Sequence, residues 1–151
     1  MKTFVFFVLL AQSAMAAEYS FEAPINCQVP DSSFMFFANP LEDVQSIKLY
    51  PNGDLEVVGE ETQKSYEDVC TSQGQVVTCV WDLKKHRYVF EVSLNQIYAV
   101  SDYNTHQLKY YELEKASIRK QQLNTRYGYL DLVTNDQVEC ITYPRATDKR
   151  Y

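Results

Sequence analysis

The side chains best equipped for chemistry are four cysteines, two histidines, a run of carboxylates and twelve tyrosines. Cys27, Cys70, Cys79 and Cys140 are separated by 42, 8 and 60 residues, with no C-x-x-C. That spacing suits neither a zinc site nor a redox dithiol, and an even count favours disulfides. Oxidised cysteines offer no thiolate nucleophile. His86 and His106 fall in predicted turns. G-x-S-x-G, H-E-x-x-H and phosphate-loop patterns are absent. The sequence therefore nominates no catalytic residue, no metal ligand and no cofactor.

Asp54, Glu56, Glu60, Glu61, Glu67 and Asp68 form an acidic run with Lys64 as its one counter-charge. Two carboxylates ~5–9 Å apart can hydrolyse a glycoside, which makes a carboxylate-dependent hydrolase one alternative. The run lacks the D-x-D-x-D spacing of a calcium loop, and a solvated acidic surface is the simpler reading. Tyr88, Tyr98, Tyr103, Tyr110, Tyr111, Tyr127 and Tyr129 gather in the second half. Tyrosine suits half-buried strands; on an exposed face it gives a partner rigid apolar area with a polar handle. Tyr110, Tyr111, Tyr127 and Tyr129 are the candidate binding residues. Neighbouring strand residues face opposite sides, so one of Tyr110 and Tyr111 should point outward.

The cysteine pairing follows from local geometry. Cys70–Cys79 reads CTSQGQVVTC, symmetric about Gly74-Gln75. Glycine at the first central position suits a two-residue type II′ hairpin turn. Gln73 then faces Val76, Ser72 faces Val77, Thr71 faces Thr78 and Cys70 faces Cys79. The cysteines fall on a non-hydrogen-bonded pair, where Cα atoms approach to ~4.5 Å, within reach of a disulfide. Cys27 is left to pair with Cys140, tying the first strand to the last.

Met1–Ala17 is MKTFVFFVLLAQSAMAA. Lys2, a short apolar run and Ala14-Met15-Ala16 read as a signal peptide over residues 1–16, of bacterial type with a eukaryotic secretory signal as the alternative, and residues 17–151 as a single exported β-domain. Its expected location is periplasmic or extracellular, where disulfides persist. No later apolar run reaches the ~18–20 residues of a membrane helix. Residues 17–151 hold 20 acidic and 13 basic side chains, a balance that argues against nucleic acid as a partner. The charge is uneven: 12 acidic and 2 basic residues lie in 17–82, but 8 and 11 in 83–151.

These residues must be placed by strands. Only four Gly and five Pro interrupt the chain, and period-2 alternation dominates. Val44–Tyr50 and Leu55–Val58 flank Pro51-Asn52-Gly53, a three-residue hairpin loop closed by a left-handed Gly. Leu49 then faces Leu55 and Ile47 faces Val57, which a two-residue loop would not achieve. Val77, Cys79, Trp81 and Leu83 share one face, and Lys84–Arg87 turns the chain. Tyr88, Phe90, Val92 and Leu94 share the next. Ile97–Tyr103 with Leu108–Glu114, and Tyr127–Val133 with Val138–Tyr143, suggest two further hairpins. Tyr19–Val29 and Phe34–Phe37 look extended. Glu112–Asn124 is rich in helix formers, but Ile118 fits no helical face, so it reads as a strand with a short helix as the alternative.

The expected fold is all-β: an antiparallel meander of about 8–10 strands, closed into a small barrel or a two-sheet sandwich with two disulfides. The expected role is non-enzymatic binding of a protein or envelope component through an exposed sheet face. A carrier with an aromatic-lined barrel cavity is the second alternative.

Overall fold

The computed structural model describes residues 23–30 and 40–143. The signal segment and Phe34–Phe37 lie outside them. Ten antiparallel strands form one continuous sheet curled into a half-barrel, with no helix among the described residues. One sheet thus takes the place of two stacked ones. The first meander comprises β1 (Ile25–Gln28), β2 (Ser46–Leu49), β3 (Leu55–Val58) and β4 (Gln63–Tyr66). The second comprises β5 (Cys70–Gln73), β6 (Val76–Leu83), β7 (His86–Ser101) and β8 (Leu108–Asn124), followed by β9 (Gly128–Asn135) and β10 (Glu139–Thr142). The order across the sheet is β4-β3-β2-β1-β10-β8-β7-β6-β5, with β9 also on β8.

Turn chemistry fixes the hairpin registers. Ile47 pairs with Val57 and Leu49 with Leu55. Gly53 has φ 89° and donates its N–H to the Tyr50 carbonyl at 3.0 Å, as a left-handed closing residue requires. Gly74 has φ 61°, and Cys70 through Gln73 pair with Cys79 through Val76 in the expected register. Both disulfides form, Cys27–Cys140 and Cys70–Cys79, each between directly opposed residues with Cα atoms 4.0 Å apart.

Three expectations change. The expected final hairpin does not exist: β9 and β10 never pair with each other but share one edge of β8. β8 has 17 residues, far longer than either partner, so β10 takes Tyr111–Leu113 and β9 takes Ile118–Asn124. The turn after β6 is only Lys84-Lys85, because Leu83 pairs with His86; His86 and Arg87 belong to β7 rather than to a turn. Lys84 supplies the left-handed φ of 58° that so short a turn needs. Third, Tyr88–Leu94 and Ile97–Ser101 are one strand with an irregularity between Ser93 and Ile97. Glu112–Asn124 is strand throughout.

Alternation buries the concave side. Ile25, Cys27, Ile47, Leu49, Leu55, Val77, Cys79, Tyr88, Phe90, Val92, Ile118 and Cys140 are all but inaccessible to solvent. The loop before β2 closes this core, inserting Leu41 and Val44. It is tied down by Gln45 N–H to Val58 O (2.7 Å), Glu60 N–H to Glu42 O (2.8 Å), Lys84 Nζ to Asp43 Oδ1 (2.9 Å) and Lys120 Nζ to Pro40 O (3.1 Å). Gly59 permits that approach: a Cβ there would stand 2.7 Å from the Asp43 carbonyl carbon and oxygen.

Gly59→Ala should destabilise by about 1–3 kcal/mol, because backbone rather than a yielding side chain blocks the new methyl; chemical denaturation measures it. Cys27–Cys140 spans 113 residues and Cys70–Cys79 spans 9. On loop entropy, serine replacement of the first pair should cost about 4–5 kcal/mol and of the second about 2–3 kcal/mol. Equal midpoint shifts in non-reducing melts would contradict that ordering.

Candidate functional site

Two of the six carboxylates of the acidic run, Asp54 and Glu56, are held by hydrogen bonds. Asp54 Oδ2 accepts from Asn52 Nδ2 at 2.9 Å, and its Oδ1 accepts the Asp68 N–H at 3.1 Å. It thereby stitches the β2–β3 turn to the corner between β4 and β5, where Asp68 itself is left-handed. Glu56 accepts from Tyr50 Oη at 3.0 Å and from Gln63 Nε2 at 3.2 Å. Among the described residues no group of three or more His, Cys, Asp or Glu side chains could hold a metal ion.

The four candidate tyrosines fall at opposite ends of β8. Tyr110 pairs with Val100, and Tyr111 with Ala99 and Thr142; both are half-buried. Tyr129 pairs with Leu123 and Tyr127 stands in the preceding turn. Leu123 lies thirteen residue steps along β8 from Tyr110, roughly 40 Å at the rise of a strand. The two tyrosine pairs therefore belong to two separate surfaces.

The first is the free end of the β7–β8 hairpin. Past Ser93, β6 no longer accompanies β7, so Ile97, Tyr98 and Ala99 are exposed and Tyr103 at the tip is 93% exposed. The tip is nevertheless built. Asp102 Oδ1 accepts the Asn104 and Thr105 N–H groups at 2.8 and 3.2 Å, and Lys109 Nζ lies 3.4 Å from Oδ2. The Asn104 N–H foremost, then the Thr105 N–H and Lys109, holds the Asp102 carboxyl below its usual range.

The second surface is β9. Leu123, Tyr127, Tyr129, Leu130 and Leu132 are all exposed, half of the ten exposed large apolar side chains among the described residues. The strand pairs only with β8, so among the described residues its outer edge carries no strand. Leu132 is the extra residue of a bulge, since Lys120 pairs with Val133 but Gln121 with Asp131. Beneath Tyr129 a polar row crosses four strands: Asp82, Arg87, Gln121 and Asp131 are successive cross-strand partners. Arg87 Nε reaches Asp82 Oδ1 at 3.0 Å, its guanidinium lies 3.9 Å from the Tyr129 ring centre, and Gln121 Nε2 donates to Asp131 Oδ1 at 2.8 Å. The guanidinium covers one face of the Tyr129 ring and so holds its orientation. Leu123, Leu130 and Leu132 were not among the sequence candidates; the break in alternation at Leu132-Val133 is the signal that marks them.

Where β9 leaves the edge of β8 and β10 joins it, a groove of about 330 Å³ opens, lined by Tyr98, Glu112, Glu114, Asp136 and Glu139 among others. Tyr98 Oη donates to Glu114 at 3.3 Å. No family model, curated protein or solved structure matches this chain. The two disulfides point to an oxidising environment, and no helix among the described residues is long and apolar enough to cross a membrane.

Asp102→Ala should loosen the tip without unfolding the core: amide exchange at Asn104 and Thr105 accelerates while the global melt holds. Because the folded carboxyl is more acidic than the unfolded one, the ordering is present above the usual pKa of 3.8 and lost as pH falls through the lower folded value. An NMR titration of Asp102 reads it directly.

Proposed function

We propose that this chain is an exported, non-enzymatic β-domain that binds another protein through β9, by accepting an extended segment along its free edge. The observation that carries this reading is the coincidence, on one eight-residue strand, of an edge that no other described strand covers with apolar side chains on either side. Backbone N–H and C=O groups on an open edge supply affinity to an added strand, and alternate side chains supply specificity. Tyr129 and the nearby Leu123 present apolar area on one face and Leu130 on the other. The signal-like N-terminus and the two disulfides support work outside the cytoplasm, in the periplasm or beyond the cell.

A photo-crosslinking residue placed at Leu130 in the exported protein should give a discrete protein adduct in its native envelope or medium. Leu132→Lys, a charge of the kind that guards natural edge strands, should cut that adduct at least tenfold while leaving the melting temperature unchanged. An adduct formed only from position 103 would move the binding surface to the hairpin tip. Hydrolysis of an envelope polymer, abolished by replacing one carboxylate, would refute the non-enzymatic reading.

A further inference from the structure

Three aromatic side chains meet where the two ends of the sheet come together. Tyr66 ends β4, and the corner Glu67–Val69 carries the chain directly into β5. β4 and β5 occupy opposite ends of the strand order and form no ladder with each other. Val80 N–H donates to Val69 O at 3.1 Å, so Trp81, the next residue of β6, stands beside the corner. Its indole stacks on Tyr88 with ring centres 5.6 Å apart, and Tyr66 tilts against it at 6.1 Å. Side chains rather than backbone ladders seal this seam.

The seal contains hydrogen-bond donors. Tyr66 Oη and Trp81 Nε1 are buried and find no acceptor, and Tyr88 Oη, also buried, makes no close hydrogen bond although the Asp43 carboxylate lies near enough to act on it; Tyr88 and Trp81 are 0% and 3% exposed. A buried donor without an acceptor is costly, and in native structures it marks a bound water, an ion or a ligand. The chemistry here selects among them. Asp43, itself buried, contributes a carboxylate already bonded to Lys84. Burial first, and then the Asp43 charge, pushes the pKa of both Tyr66 and Tyr88 upward, so the hydroxyls keep their protons. A carboxylate beside the donors repels an anion. Ring centres at 5.6 and 6.1 Å leave no space for an organic group between the rings.

We infer that the β4–β6 seam is a binding site for ordered water, held by Tyr66 Oη, Trp81 Nε1 and Tyr88 Oη and relayed to the Asp43 carboxylate. Water is small and neutral, it accepts and donates, and it commonly takes three or so polar partners in such places.

Trp81 is the chain's one tryptophan, so its indole N–H is a unique NMR signal. That proton should show a water cross-peak of opposite sign in laboratory-frame and rotating-frame Overhauser spectra, the mark of direct dipolar contact rather than exchange. A high-resolution crystal structure should place water about 2.7–3.2 Å from Trp81 Nε1 and Tyr88 Oη. In Tyr88→Phe, which keeps the ring stack, the water at Trp81 should remain and its contact at position 88 disappear. That variant also separates the water's own signal from one relayed through the Tyr88 hydroxyl. A protein oxygen bonded to Nε1, or a site without water density, would overturn the inference.

Discussion

β10 holds the two halves of this molecule together. It is four residues long, yet it is the one strand that pairs with both meanders, with β1 on one side and β8 on the other. Without it, no backbone ladder among the described residues would join β1–β4 to β5–β9; the Glu67–Val69 corner, the Lys84–Asp43 ion pair, the Lys120–Pro40 hydrogen bond and side-chain packing would remain. Four residues of ladder are a weak join on backbone hydrogen bonds alone, each contributing about 0.5–1.5 kcal/mol net. The join is reinforced at Cys140, which faces Cys27 on β1 and Leu113 on β8. The bond to Cys27 therefore closes the larger of the two disulfide loops on a strand only four residues long, and it does so in the core, with both cysteines buried.

The shape of the surface follows from that join. Because β10 must reach β1, it cannot continue along β8, and β9 takes the other end. The edge of β8 is then divided, and the groove near Asp136 lies at the division. The mismatch in strand length has a second outcome: β7 and β8 run on beyond β6 and project as an arm that β10 flanks at Tyr111–Leu113 and that is two-stranded only toward its tip. The exposed apolar side chains concentrate on the two elements that the curled sheet cannot enclose, the arm and β9. Loop contacts act in the opposite direction, with Asp43, Lys84 and Lys120 drawing the Pro40–Gln45 loop over the open end of the core.

How far this was legible in the residues depended on how local the determinant was. Gly53 and Gly74 force left-handed backbone within three residues of the strands they join, so the registers of β2–β3 and β5–β6 could be read outright. The second disulfide then followed by elimination, although 113 residues separate its partners. The competition between β9 and β10 for β8 could not be read, because their sequences alternate as a hairpin would. What prevents the hairpin is the demand of β1 for a partner, a long-range term invisible to any window. The same limit hid the distance between Tyr110 and Tyr129: each suits an exposed strand, and only the length of β8 sets them apart.

An open edge flanked by leucines and tyrosine ought to aggregate, and β9 has no lysine to prevent it. Two features replace that defence. The bulge at Leu132 breaks the edge into two short stretches whose side-chain phases differ, so a flat strand can register with one stretch but not with both. The single charge, Asp131, is turned toward Gln121, with Arg119 3.9 Å away, and is therefore anchored within the sheet rather than offered to a cation outside. A partner that carries its own matching irregularity would engage the whole strand, whereas a second copy pairing antiparallel would set Leu132 against a stretch in the wrong phase. On the proposed function, the defect in alternation would thus discriminate between partners while the edge stays exposed to solvent.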